Sequence, residues 1–132
     1  MPIYTGTNSS EYLPGSSGND TILGLDGHDL ILASGGDDSI DGGDGNDTIY
    51  GGDGNDTIFG GHGRDFIYAD AGDDLILIDD RIDPLTKAGD DIEGGAGDDT
   101  IRAVSTSTSG SLLTIRLGKV TEVETLDNSS AT

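Results

Sequence analysis

The chain has 132 residues, enough for one ordinary domain, yet 23 are glycine and 26 are Asp or Glu against only 6 Lys or Arg, for a net charge of −20. That acidity excludes nucleic acid and anionic membrane surfaces as partners and points to cations; the absence of cysteine excludes a disulfide frame and a thiolate metal site. High charge with few aromatics would suit a disordered chain if no counter-ion were available.

Residues 1–14 open the chain without the basic start and apolar stretch of a cleaved export signal. Residues 1–14 read as a degenerate N-terminal repeat or cap, in which the unit 6–14, GTNSSEYLP, has Glu11 at its sixth position and Leu13 at its eighth. Residues 15–77 then repeat with a period of nine in seven units: GSSGNDTIL, GLDGHDLIL, ASGGDDSID, GGDGNDTIY, GGDGNDTIF, GGHGRDFIY and ADAGDDLIL. Each unit pairs a turn of Gly, Asn and Asp, residues that accept tight turns at low steric cost, with three β-formers. A turn and a short strand every nine residues predict a coil with one strand on each side. Side chains alternate across a strand, so the eighth position forms an inward file: Ile22, Ile31, Ile40, Ile49, Ile58, Ile67 and Ile76.

The period breaks at 78–88, which carries Pro84 and several charges and reads as an irregular insertion. It resumes over 89–102 with Asp90, Ile92 and the unit GGAGDDTIR; Asp74 to Asp99 is 25 residues, a register shift against the nine-residue period. Residues 103–132 begin with a Ser/Thr-rich linker and end in two strand-like segments, 112–117 and 120–126, read as a C-terminal β cap or secretion-signal region. The longest apolar run is four residues, Leu75 to Ile78, so nothing in the sequence is suited to membrane insertion.

A single file of isoleucines is a thin core for so much glycine-rich backbone, whose ordering is costly. Carboxylates stacked along each edge also repel one another. Both terms point to a cation as a condition for folding. Calcium fits best, because it takes six to eight carboxylate and carbonyl oxygens in flexible geometry, whereas magnesium demands a strict octahedron and keeps its waters. Zinc is disfavoured with only two histidines and no cysteine.

The units GGDGNDTIY and GGDGNDTIF match the nonapeptide GGxGxDxUx, where U is a large apolar residue, and the chain resembles the RTX (repeats-in-toxin) family over residues 6–77 and 88–102. The resemblance implies an all-β fold, a right-handed parallel β-roll, with calcium held between turns on the same edge. It implies carboxylate ligands at Asp20, Asp29, Asp38, Asp47, Asp56, Asp65, Asp74, Asp90 and Asp99. It also implies carbonyl ligands from the turn glycines Gly15, Gly18, Gly24, Gly27, Gly36, Gly42, Gly45, Gly51, Gly54, Gly60, Gly63 and Gly72. Pairing turns along each edge gives about five or more ions. Ser16, Leu25, Ser34 and Asp70 replace the second glycine of their units, and Ser9 and Glu11 depart from the first turn. The third-position Asp26, Asp44 and Asp53 are further candidate ligands, or solvated turn carboxylates. His28, His62 and Arg64 are expected to be unpaired surface residues.

Alternate units place outward side chains on the same sheet, and one face gathers Tyr12, Tyr50, Phe66 and Tyr68. The C-terminal strands or the insertion could cover that face; otherwise it would meet a partner, a glycan or a second copy. No H-E-x-x-H or G-x-S-x-G appears, so no enzyme is expected. The expectation is a calcium-binding secreted module, extracellular or at the cell surface, that calcium folds and that a larger parent protein could carry. The family's export through a type I secretion channel suits the missing N-terminal signal. The alternative is a small extracellular protein that self-assembles with calcium into matrix, surface layer or filament.

Overall fold

The structure, a computed structural model, describes residues 1–78, 90–103, 116–117 and 123–127. Every regular element among them is a short β-strand: β1 (Ile3–Thr5), β2 (Tyr12–Pro14), β3 (Thr21–Leu23), β4 (Leu30–Gly35), β5 (Ser39–Asp41), β6 (Thr48–Asp53), β7 (Thr57–Phe59), β8 (Phe66–Ala71), β9 (Leu75–Ile78), β10 (Asp91–Glu93), β11 (Asp99–Ala103), β12 (Arg116–Leu117) and β13 (Val123–Asp127). Odd-numbered strands form a seven-stranded parallel sheet and even-numbered strands a six-stranded one. Each nine-residue unit is therefore half a coil, and residues 18 apart stack directly, as Ile22 on Ile40 and Ile31 on Ile49. The chain is a parallel β-solenoid, as the period requires.

The predicted inward file is the core. Ile22, Ile31, Ile49, Ile58, Ile67 and Ile76 are fully buried, Ile40 nearly so, and Ile92 and Ile101 continue the file beyond the insertion. Among the described residues the two parallel sheets face each other mainly through one isoleucine per rung, and the turns also bury side chains. There β4, β6 and β8 run to six residues because the turns on that edge also pair, Ser34 with Gly52 and Gly52 with Asp70.

At the start, β1 adds a rung ahead of the first unit visible in the sequence. Tyr4 stacks on Ile22 and packs against the core, and the Pro2 carbonyl accepts the Thr21 N–H at 2.9 Å. Past the insertion, β10 pairs with β8 (Ile92 beside Ile67) and β11 with β9 (Ile101 beside Ile76). The register shift thus leaves the stack unbroken: same-edge neighbours are 25 residues apart there instead of 18, and the extra residues lie between Ile78 and Asp90. Ile78 itself, the first residue of the expected insertion, is the buried last residue of β9 and pairs with Ala103. β12 and β13 extend the two sheets in parallel and fall on the two C-terminal segments expected as strands. The rest of those segments, the linker and the body of the insertion lie outside the described residues.

Candidate metal centre

The nine sixth-position aspartates, Asp20, Asp29, Asp38, Asp47, Asp56, Asp65, Asp74, Asp90 and Asp99, are all buried, none more than 8% exposed. They form two files, one per edge: Asp20, Asp38, Asp56, Asp74 and Asp99 on one, Asp29, Asp47, Asp65 and Asp90 on the other. Within each file one carboxylate oxygen has a fixed task. The backbone N–H of each aspartate donates to Oδ1 of the next: Asp20 to Asp38 (2.7 Å), Asp38 to Asp56 (2.8 Å), Asp56 to Asp74 (2.8 Å) and Asp74 to Asp99 (3.1 Å). On the other edge Glu11 donates to Asp29 (2.8 Å), Asp29 to Asp47 (2.8 Å), Asp47 to Asp65 (2.9 Å) and Asp65 to Asp90 (3.0 Å).

The second oxygen is the unfinished part. Oδ2 of Asp29, Asp38, Asp47, Asp56, Asp65, Asp74 and Asp99 is buried with no hydrogen-bond partner. Buried polar atoms are nearly always satisfied, and a charged one without a partner costs several kcal/mol by rough measure. Burial accordingly pushes the carboxyls of Asp29, Asp38, Asp47, Asp56, Asp65 and Asp74 above their ordinary range, desolvation being the largest cause. Asp47 and Asp56 rise to about 6, Asp65 and Asp74 to about 7, and Asp29 and Asp38 also rise. The neighbouring carboxylates of each file add to the rise; the backbone N–H on Oδ1 opposes it.

At Asp29, Asp47 and Asp56 the backbone supplies a second oxygen near the orphan. A Cβ on Gly42 would lie 2.7 Å from Asp47 Oδ2 and against the Gly60 carbonyl oxygen. On Gly51 it would lie 2.5 Å from Asp56 Oδ2 and 2.7 Å from the Ala69 carbonyl oxygen. Gly24 stands in the same relation to Asp29 Oδ2 (2.8 Å) and the Gly42 carbonyl. First-position glycine is thus the residue that lets a carboxylate from one turn and a carbonyl from the next approach the same point. A Cβ on Gly60 would lie 2.6 Å from its own turn's Asp65 Oδ2, and one on Gly15 would lie 3.0 Å from Asp20 Oδ2 and 2.5 Å from the Ala33 carbonyl oxygen. The fourth-position glycines Gly27, Gly36, Gly45, Gly54, Gly63 and Gly72 adopt left-handed φ, where a side chain would strike the preceding turn; Gly18 does not. Among the described residues no three His, Asp or Glu side chains converge to hold a metal by themselves. A cation here would draw much of its shell from carbonyls, which suits calcium and not zinc.

The third-position Asp26, Asp44 and Asp53 are exposed, although their backbones take part in the turn-to-turn pairing. Asp44 Oδ1 meets His62 Nδ1 at 2.6 Å, His28 Nδ1 accepts the Asn46 N–H at 2.7 Å, and Arg64 pairs with Asp91 and lies 4.9 Å over the Phe66 ring. The three residues expected to stand unpaired are therefore all engaged. His28 belongs to a ladder that the sequence reading missed. Fifth-position side chains accept the N–H of the next fifth-position residue on the edge: Ser10 from His28, Asn19 from Asp37, Asp37 from Asn55, Asn46 from Arg64, Asn55 from Asp73 and Asp73 from Asp98. The signal was present, since these positions hold short acceptor side chains almost throughout.

On the aromatic face, Tyr50 and Tyr68 stack with centroids 4.8 Å apart and planes 10° apart. Their shared faces, and the Phe66 face under Arg64, are occupied from within the molecule, while Tyr12 is 58% exposed.

The RTX calcium-binding nonapeptide repeat matches this chain in four copies, over residues 5–40, 14–49, 41–76 and 87–103. These cover more than half the chain, and the protein belongs to the RTX repeat family. It is a calcium-binding repeat protein. Neither a curated protein nor a solved structure matches it.

Proposed function

We propose that the chain is a module that calcium folds, without catalytic activity of its own, working outside the cell. The observation that carries this reading is the row of seven buried, unpartnered Oδ2 atoms. The described coil has a continuous core but leaves a column of buried carboxylate oxygens on each edge for a cation to satisfy. Five gaps are flanked on both sides by such atoms. Three lie on one edge (Asp38–Asp56, Asp56–Asp74 and Asp74–Asp99) and two on the other (Asp29–Asp47 and Asp47–Asp65), which gives an expected five calcium ions. Oδ2 and a carbonyl from the following turn would hold each ion, while Oδ1 stays on its backbone N–H. Such sites need external calcium, in the range of roughly 10⁻⁴–10⁻³ M typical of extracellular modules. RTX repeats are typical of secreted bacterial proteins, which supports the location.

Far-UV circular dichroism tests the proposal. A disordered spectrum in excess chelator should turn β-rich on adding calcium. A β-rich spectrum at neutral pH that chelation leaves unchanged would sink it. Calcium-dependent self-assembly is the second reading, favoured by the edge strands β1 and β2, which expose Ile3 and Tyr12. Sedimentation velocity in calcium distinguishes a monomer from concentration-dependent oligomers.

A further inference from the structure

We infer that the first turn on each edge is a metal-free cap, closed by its own backbone and hydroxyl groups, and that cation loading starts one turn further in. The inference rests on the calcium reading above. In these two turns the second carboxylate oxygen is not orphaned. Glu11 Oε2 accepts the Thr7 N–H at 2.6 Å, and Glu11 Oε1 accepts the Thr7 hydroxyl at 2.6 Å. Asp20 Oδ2 accepts the Ser16 N–H at 2.5 Å, and Asp20 Oδ1 accepts the Ser16 hydroxyl at 3.1 Å. An ion could enter only by displacing two hydrogen bonds to a carboxylate, the stronger kind.

Three further features separate these turns from the rest. Ser16 and Ser34 are the same residue at the same repeat position, yet Ser34 has φ 88° and leaves Asp38 Oδ2 orphaned, whereas Ser16 is not left-handed and points its N–H at Asp20. Turn-to-turn backbone pairing begins at Ser34 on one edge and Asp26 on the other, and does not reach back to Ser16 or Thr7. Upstream of Asp20 the stacked residue is Pro2, which has no N–H to give Oδ1; the Ser16 hydroxyl takes that place. A terminal turn has only one neighbour, so a cation there would be half-lined and open to water. A hydroxyl residue at the second position and an acid at the sixth close it instead.

The test counts bound calcium by native mass spectrometry on the full chain, D20N and D56N, with circular dichroism to confirm folding. D20N should hold as many ions as wild type, and D56N, on the same edge, should lose at least one. A lower count in D20N overturns the cap. No calcium on wild type would instead overturn the calcium reading itself. If D20N does not fold, a crystal structure of the calcium-loaded wild type decides: the Ser16 N–H should still sit on Asp20 Oδ2, and an ion coordinated there would overturn the inference.

Discussion

The isoleucine file and the aspartate files are built from the same repeat, yet one is finished and the other is not. Along the axis, each isoleucine meets its neighbours and is sealed from water. Along the edges, each interior aspartate satisfies one oxygen through a neighbouring turn and leaves the other buried with nothing to bind. On the proposed function, the core stabilises the coil whether or not calcium is present, whereas the edges stabilise it only when calcium is bound, which places the deficit of the ion-free fold in the edges.

The largest effect that separates the two regions is removal of calcium. At a hundredfold excess over Kd each ion adds roughly 2.7 kcal/mol, so the five proposed ions would together outweigh any single core residue. Chelation at neutral pH should abolish the thermal unfolding transition seen in calcium by calorimetry.

Truncating the core gives the next effect. Ile49→Ala should cost about 2–5 kcal/mol in calcium. Asp47→Asn should also destabilise in calcium, by the loss of an ion. In chelator under stabilising osmolyte the signs should part: Ile49→Ala still destabilises, while Asp47→Asn stabilises because it removes a buried charge and can keep an oxygen for the Asp29 N–H. Chemical denaturation of both variants, with and without calcium, checks this. Destabilisation by Asp47→Asn in both conditions would place its main role in the core rather than in the ion.

Proton binding gives a third contrast. The carboxyls of Asp47, Asp56, Asp65 and Asp74 are raised to about 6 to 7 in the calcium-free coil by burial. A raised pKa means the folded state holds the proton longer than the unfolded state. The associated stability is complete below the ordinary carboxylate range, near 4, and is lost as pH rises through 6 to 7. Acidifying the chelated chain from pH 7.5 to 5 should therefore increase its β-content by circular dichroism. In calcium the same change should weaken binding, because protons compete for Oδ2.

The smallest effect concerns the turns. Leu25, Ser34 and Asp70 hold left-handed φ of 78°, 88° and 76° where their repeat would have glycine. Leu25→Gly should stabilise the calcium-bound coil by about 1 kcal/mol, read as a rise in Tm. The same change at Ser16, which is not left-handed, should give no such gain.

Much of this was legible in the sequence because the period is strict. One register satisfied both the isoleucine file and the aspartate file, which located core, edges and the family. What was not legible depends on contacts 18 residues apart. No local pattern tells that Asp47 Oδ1 serves the Asp29 N–H, or that His28 accepts from Asn46. The shift after Leu77 was visible as the 25 residues from Asp74 to Asp99, but not how the stack absorbs it: Asp99 returns beside Asp74. Ser16 registered as a departure from glycine and Thr7 did not, and the capping role of both appears only once their N–H groups are seen on Glu11 and Asp20.

The most direct test is the location of calcium in a crystal of the loaded chain, read from its anomalous scattering. A peak is expected between Asp47 Oδ2 and the Gly60 carbonyl, at roughly 2.3–2.6 Å from each, with the Asp29 N–H still on Asp47 Oδ1. Calcium confined to the exposed Asp26, Asp44 and Asp53, with the buried Oδ2 atoms left unliganded, would contradict it.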